Sequence, residues 1–253
     1  MGTYVITGGA SGIGKAIAEQ LQSEGHQTLS VDIQDADIVA DLASPEGRNA
    51  AVAAIMQATD AGLQGLVTSA GVGSHVSNNA LITNVNYFGS VELIQKLEDH
   101  LAAHNASVLL VSSNSAPMET NPEFVQSLLQ GDAERACALA EQMQGHPVYS
   151  GTKQAVTLWM RRNAAAFAGK GIRINAIGPG YTRTPLSAAV EDNPDYGEAI
   201  KQFIASIPVG RPGTPEDMAD AASFLLGDRA TFICGAMLFV DGGHDAMMRP
   251  DSF

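Results

Sequence analysis

Tyr4-Val5-Ile6-Thr7-Gly8-Gly9-Ala10-Ser11-Gly12-Ile13-Gly14 joins a short apolar run to a glycine-rich turn, and an amphipathic pattern follows at once and continues to Glu24. Aromatic and β-branched residues favour a strand, and apolar residues recurring at helical spacing mark a helix. Glycines between the two let the chain turn sharply and let another group approach the backbone closely. The helix N-terminus behind such a turn presents unpaired N–H groups and the positive end of a dipole. A glycine-rich loop by itself is only a tight turn, but between a strand and a helix it reads as a phosphate cradle.

Outward from this unit, the same alternation runs to the end of the chain. Further strands are predicted at Thr28 to Asp32, Asp37 to Ala40, Leu66 to Ser69, Ser107 to Ser112, Ile172 to Ile177 and Met237 to Val240, with helical patterns at Pro45 to Ala58, Leu81 to Ala103 and Val148 to Ala168. The strands are nearly continuous apolar runs, which suits strands covered on both faces. The expectation is an α/β fold with a doubly wound (Rossmann) parallel sheet of about seven strands, a single domain over residues 1–253. One helical insertion, 114–146, interrupts the rhythm. Asn121-Pro122-Glu123 and Asp132-Ala133-Glu134 start two short helices in it, and a loop at this end of a sheet suits either a lid or an interface.

The composition removes several function classes. In 253 residues, 14 Lys+Arg stand against 27 Asp+Glu, a net charge of −13 with no basic run, so nucleic acid and anionic lipid are not expected partners. Only 16% of residues are charged and 45% are hydrophobic, which excludes a disordered chain. No apolar run approaches the ~20 residues that cross a bilayer. Cys137 and Cys234 form no metal or redox motif and read as reduced, buried thiols. His100 and His104 sit beside Glu98 and Asp99 on a polar helix and read as surface residues, so no metal is expected, and a cytoplasmic setting fits. Trp159 reads as helix packing, and Met237, Met247 and Met248 as core or subunit packing.

Two further groups carry chemistry. Asp32 ends the second strand, where a carboxylate accepts hydrogen bonds from adenosine ribose hydroxyls and repels a 2′-phosphate. With no cation at Ser11 or Ile33, NAD is the expected cofactor. Tyr149 and Lys153 have the i,i+4 spacing that puts both on one helical face. A phenol with an ordinary pKa near ~10 becomes a useful base only beside positive charge, and Lys153 supplies it. Ser112 and Ser113 end a strand, where a hydroxyl can hold a reacting oxygen, and Asn86 lies in Asn84-Val85-Asn86-Tyr87-Phe88-Gly89, placed to anchor a proton-relaying water.

The spacing of Gly8, Gly12 and Gly14 departs from GxGxxG and resembles the TGxxxGxG form of the short-chain dehydrogenase/reductase family. Gly178-Pro179-Gly180-Tyr181-Thr182-Arg183-Thr184 and Val240-Asp241-Gly242-Gly243 resemble that family's later segments. The resemblance covers the whole chain and implies a catalytic tetrad of Asn86, Ser113, Tyr149 and Lys153, with Ser112 as the alternative serine. It also implies cofactor contacts from Gly8, Ser11, Gly12, Ile13, Gly14, Asp32, Ile33, Asp41, Leu42, Ala70, Gly71, Tyr149, Lys153, Pro179, Thr182 and Thr184, with Gly9, Gly178 and Gly180 in the same cleft. Thr68-Ser69-Ala70-Gly71 departs from the family's Asn-Asn-Ala-Gly, and Ser113 and Tyr149 stand further apart than usual.

The insertion and the tail Asp245 to Phe253 resemble one subgroup, the bacterial NAD-dependent 3α-hydroxysteroid dehydrogenase/carbonyl reductases. That resemblance implies oxidation of a secondary alcohol, steroid-like, with broader ketone reduction, by a homo-oligomer of two or four subunits. A dehydrogenase of a smaller terpenoid or aryl alcohol, and a non-catalytic NAD-binding sensor, are the alternatives.

Overall fold

The computed structural model describes residues 2–184, 187 and 197–252. Seven strands form one wholly parallel sheet: β1 (Thr3–Thr7), β2 (Gln27–Asp32), β3 (Ile38–Val39), β4 (Gly65–Thr68), β5 (Ser107–Val111), β6 (Arg173–Pro179) and β7 (Met237–Val240). Their order is β3-β2-β1-β4-β5-β6-β7, with Val5 paired to Leu29 on one side and Leu66 on the other. The chain therefore moves outward from β1 in one direction, then returns to lay β4 on its other side. At such a reversal the connections leave a crevice beyond the carboxyl ends of the strands.

Alternation along each strand explains the apolar runs. Val5, Leu66, Val108, Leu110 and Ile174 join one buried layer, while Tyr4, Ile6, Val67, Leu109 and Ile177 join the other. The second layer is covered by α1 (Gly12–Ser23) and α10 (Pro215–Leu226), which follows α9 (Gly197–Ala205), and the first by α2 (Pro45–Ala58), α4 (Gly89–Lys96) and α8 (Gly145–Gly169). Since successive side chains point to opposite faces, both phases of each strand must be apolar.

Several elements differ from the sequence reading. The third strand pairs only through Ile38 and Val39, because Asp37 turns back to accept hydrogen bonds from the Ser30 backbone N–H and hydroxyl. The single helix expected from Leu81 to Ala103 is broken into α3 (Asn79–Thr83), a π-helical turn (Asn84–Phe88), α4 and α5 (Glu98–Ala103). The π-turn is a single wider turn inside an otherwise helical stretch, too short for the overall apolar period to single out. Cys234 is exposed and Cys137 half-buried, against the expected burial of both. Met247 and Met248 are exposed on α11 (His244–Met248), and Met237 alone of the three packs on the core. Trp159 is buried edge-on to Phe167.

Between β5 and α8 lie α6 (Pro122–Leu129) and α7 (Ala133–Ala140), capped by Asn121 and Asp132. Asn121 accepts from the backbone N–H groups of Glu123 and Phe124. Phe124 is fully buried and seats on Gly151 of α8, where a Cβ would come within 2.8 Å of its ring. Truncating Phe124 to Ala removes the wedge between α6 and α8 and should destabilise the fold by about 3–5 kcal/mol. Urea unfolding measures it, and a loss below about 1 kcal/mol would contradict this packing.

Candidate functional site

The crevice at the β1/β4 reversal holds a cleft of about 610 Å³. At one end Gly8, Ser11, Gly12, Ile13 and Gly14 line it. Gly8 has a φ of +69°, and a Cβ there would sit 2.7 Å from the Ala70 backbone nitrogen. A Cβ on Gly14 would lie 2.2 Å from the Gly8 carbonyl oxygen. No other residue fits either place. Ser11 begins α1 without capping it through its side chain, so the first-turn N–H groups and the positive dipole end stand toward the cleft. Gly9 does not line the cleft and instead packs on Ser30 of β2.

Asp32 holds this end together. One carboxylate oxygen accepts from the Ala10 N–H at 3.1 Å and the other from the Ile33 N–H at 2.8 Å. Both oxygens retain lone pairs for further donors. Ile33, Asp41 and Leu42 line the same end. Leu42 is buried, and its carbonyl accepts from Arg48, a buried guanidinium that also makes a two-pronged pair with Glu92 at 3.0 Å on each arm. Arg48 and Glu92 bear on the loop after β3, although no motif marks them.

The middle of the cleft is the loop after β4, lined by Ser69, Ala70 and Gly71. The family's two asparagines are absent here, and Thr7 does the holding. Its hydroxyl oxygen accepts from the N–H groups of Ser69 and Ala70 at 3.2 and 3.1 Å. Thr68 buries a hydroxyl with no hydrogen-bond partner. Thr7 was visible in the sequence only as the residue before Gly8, and only the sheet register brings it beside Ser69.

At the far end the structure brings Ser113, Tyr149 and Lys153 together on the cleft wall. Tyr149 and Ser113 line the same stretch of the cleft. Lys153 Nζ donates to the Val111 carbonyl oxygen at 2.8 Å and lies 5.8 Å from the centre of the Tyr149 ring. Burial raises the Tyr149 pKa above its ordinary value, with the Ser113 hydroxyl opposing the rise. Desolvation alone brings Lys153 down to about 8. Ser112 and Ser113 both line the cleft but differ in their partners. Ser112 donates to the Lys153 backbone carbonyl and bonds the Thr157 hydroxyl, so its side chain is committed to α8 rather than to Tyr149.

Asn86 lies beneath the site, buried in the π-turn. Its amide grips Val72 at both ends: the Val72 N–H donates to Oδ1 at 2.8 Å and Nδ2 donates to the Val72 carbonyl at 3.0 Å. A Cβ on Gly71 would be 3.2 Å from Asn86 Oδ1 and 3.7 Å from Lys153 Nζ. Asn86 and Lys153 thus both approach Gly71, and the Asn86 side chain shapes the loop there.

Pro179, Gly180, Tyr181, Thr182 and Thr184 close the remaining side. Thr182 donates to the Gly180 carbonyl, and Thr184 and Ser187 exchange hydrogen bonds. Gly178 does not line the cleft. Its missing side chain makes room for Met237 and Phe239 of β7, which no sequence spacing could show. Among the described residues, none from 114–146 lines the cleft, and the insertion packs against α8. The loop after Thr184 falls, apart from Ser187, outside the described residues until 197. His100 bonds the Thr59 hydroxyl at 2.8 Å. Among the described residues no helix is long and apolar enough to cross a membrane.

Comparison with known proteins agrees with this geometry. The family described as short chain dehydrogenase matches residues 3–125, and a related one described as enoyl-(acyl carrier protein) reductase matches residues 136–245. The chain is 37% identical to 3-alpha-hydroxysteroid dehydrogenase/carbonyl reductase of Comamonas testosteroni, with 100% of both chains covered. It is 31% identical to 2-(S)-hydroxypropyl-CoM dehydrogenase 3 of Xanthobacter autotrophicus, with 96% of each covered. The crystal structure of the 3-alpha-hydroxysteroid dehydrogenase from Pseudomonas sp. B-0831, complexed with NADH, superposes with a TM-score of 0.93 at 43% identity, covering 99% of this chain and 100% of that one. Full-length similarity and the shared parallel sheet lead to one conclusion: the chain belongs to the short-chain dehydrogenase/reductase family and is an oxidoreductase.

Proposed function

We propose that the chain interconverts a secondary alcohol and a ketone with NAD(H), that its alcohol is a 3α-hydroxysteroid, and that it reduces other carbonyls more broadly. The carrying observation is one cleft with a glycine cradle and Asp32 at one end and Ser113, Tyr149 and Lys153 at the other. The residues fit a dinucleotide. Gly8 and Gly14 leave backbone where a pyrophosphate needs close approach, the α1 N-terminus supplies donors, and Asp32 offers acceptors to ribose hydroxyls while repelling a 2′-phosphate. When bound, NAD(H) supplies or accepts the hydride.

The chain's own residues do the rest. In oxidation Tyr149 takes the hydroxyl proton, and in reduction it returns one. Ser113 donates to the reacting oxygen, Lys153 favours the phenolate and binds ribose, and Asn86 holds the Gly71–Val72 floor beside which the proton relay runs. Ala70, Gly71, Pro179, Thr182 and Thr184 hold the nicotinamide side. Val72, Leu81 and Val85 line the cleft near this end, an apolar wall that suits a steroid skeleton, and the names of two full-length relatives support the same substrate. Phe232, Leu238, Met247 and Met248 are exposed in and around β7, which supports a homo-oligomer of two or four subunits.

Tyr149→Phe should bind NADH normally and lose at least about 10³-fold in turnover, while retained turnover contradicts the assignment. Comparing androsterone oxidation with reduction of small aryl ketones, by NADH absorbance, tests the steroid against the smaller alcohol. Tight NADH binding with no turnover of either would favour a sensor instead. NADH should bind at least about tenfold tighter than NADPH, and Asp32→Ser should narrow that gap by removing the repulsion.

The buried lysine also has a stability consequence. A pKa near 8 against the ordinary 10.5, at about 1.4 kcal/mol per pKa unit, makes the Lys153 charge a folding cost on the order of 3 kcal/mol at pH 7. Between pH 8 and 10.5 the unfolded chain keeps this proton and the folded chain does not, so the cost is relieved as pH rises through that window. Lys153→Met should therefore be inactive yet at least as stable as the parent at pH 7, with its advantage shrinking above pH 8. A lower melting temperature for the variant at pH 7 would refute this.

A further inference from the structure

Ser113 is surrounded by donors. The Ser115 backbone N–H and the Ser115 hydroxyl both donate to Ser113 Oγ, at 3.1 and 3.0 Å. A serine oxygen has two acceptor positions and one proton. With both acceptor positions filled from one neighbour, the Ser113 proton has to point elsewhere, and Tyr149 shares the cleft wall with it. We propose that Ser115 is a positioning residue that makes Ser113 a one-way hydrogen-bond donor toward the Tyr149 oxygen and the substrate oxygen.

The surrounding backbone is built to keep Ser115 there. The Asn114 N–H donates to the Pro179 carbonyl at 2.9 Å, which ties the turn to β6. Ala116 N–H donates to the Ser113 carbonyl and Met118 N–H to the Ser115 carbonyl, giving two successive turns. From the other side Gln154, the residue after Lys153 on α8, donates to the Ala116 carbonyl at 3.1 Å and accepts from the Thr120 hydroxyl at 2.7 Å. Ser115 is itself buried, so water does not compete for the Ser113 lone pairs.

The direction of this hydrogen bond matters chemically. A Ser113 free to accept would take the Tyr149 proton in its hydrogen bond and favour the neutral phenol. A Ser113 that only donates favours the phenolate, the form that removes the alcohol proton. The inference rests on the reading of Tyr149 as the acid–base group.

The test is the pH profile of kcat/KM for oxidation of androsterone and of a small aryl carbinol by NAD⁺, in the intact enzyme. Ser115→Ala should move the midpoint of the rising limb up by about half to one pH unit, so oxidation at neutral pH falls about three- to tenfold while the alkaline plateau is retained. Ser115→Thr, which keeps the hydroxyl, should restore the parent profile. In a Ser113→Ala background, Ser115→Ala should change nothing further. An unshifted midpoint with an equal loss at every pH, or an additive loss in the double variant, overturns the proposal. An inactive Tyr149→Phe with an unshifted Ser115→Ala profile rejects this inference alone, whereas an active Tyr149→Phe, or a parent that oxidises neither alcohol, rejects the reading of the site beneath it.

Discussion

A Cβ on Gly14 would stand 2.2 Å from the Gly8 carbonyl oxygen, and one on Gly8 would stand 2.7 Å from the Ala70 nitrogen. These two approaches bring helix α1, strand β1 and the loop after β4 into backbone contact at the point where the sheet changes direction. The cleft depends on that contact. With a side chain at Gly14, α1 would have to move away from β1, taking its first-turn N–H groups with it. The Ala10 N–H that Asp32 accepts would shift as well. At the other end of the same loop, Gly71 leaves room for Asn86 and the Lys153 ammonium. The absence of side chains at three glycines thus sets the distance between the phosphate end and the chemical end.

The two ends use electrostatics in opposite ways. At the cradle, charge is handled by backbone dipoles, which cost nothing to desolvate further once the helix has formed. At the chemical end a real cation is buried with a single carbonyl at 2.8 Å as its recorded acceptor. Burial opposes the charged form of both Lys153 and Tyr149, so the pair is poised against ionisation until positive charge arrives nearby. A site of this kind is less stable than an apolar one of the same shape.

Much of this was legible in the chain, for identifiable reasons. The strands could be read because a doubly covered parallel sheet demands apolar residues at every position. The glycine turn could be read because strand, loop and helix are contiguous, and Tyr149 with Lys153 because helical spacing is local. What stayed hidden depends on contacts between segments distant in sequence. The different partners of Ser112 and Ser113 follow from which hydroxyl faces the α8 backbone. The work of Thr7 follows from the register of β1 against β4. Gly178 looked like part of the cleft, but its space is taken by Met237 and Phe239 of a strand far along the chain. The π-turn that presents Asn86 leaves no mark on hydrophobic period, and exposure of Cys234 depends on the turn before β7.

The insertion separates two roles that a sequence places side by side. It lies between Ser113 and Tyr149 in the chain, yet Phe124 seats it on Gly151 and no described residue of it reaches the cleft. The Cβ-less Gly151 is only two residues from both Tyr149 and Lys153, so α6 buttresses the turn of α8 that carries them. Val72 to His75, Leu81, Val85 and Tyr181 line the cleft instead. The extra helices therefore bear on the cleft through α8, against which α6 packs.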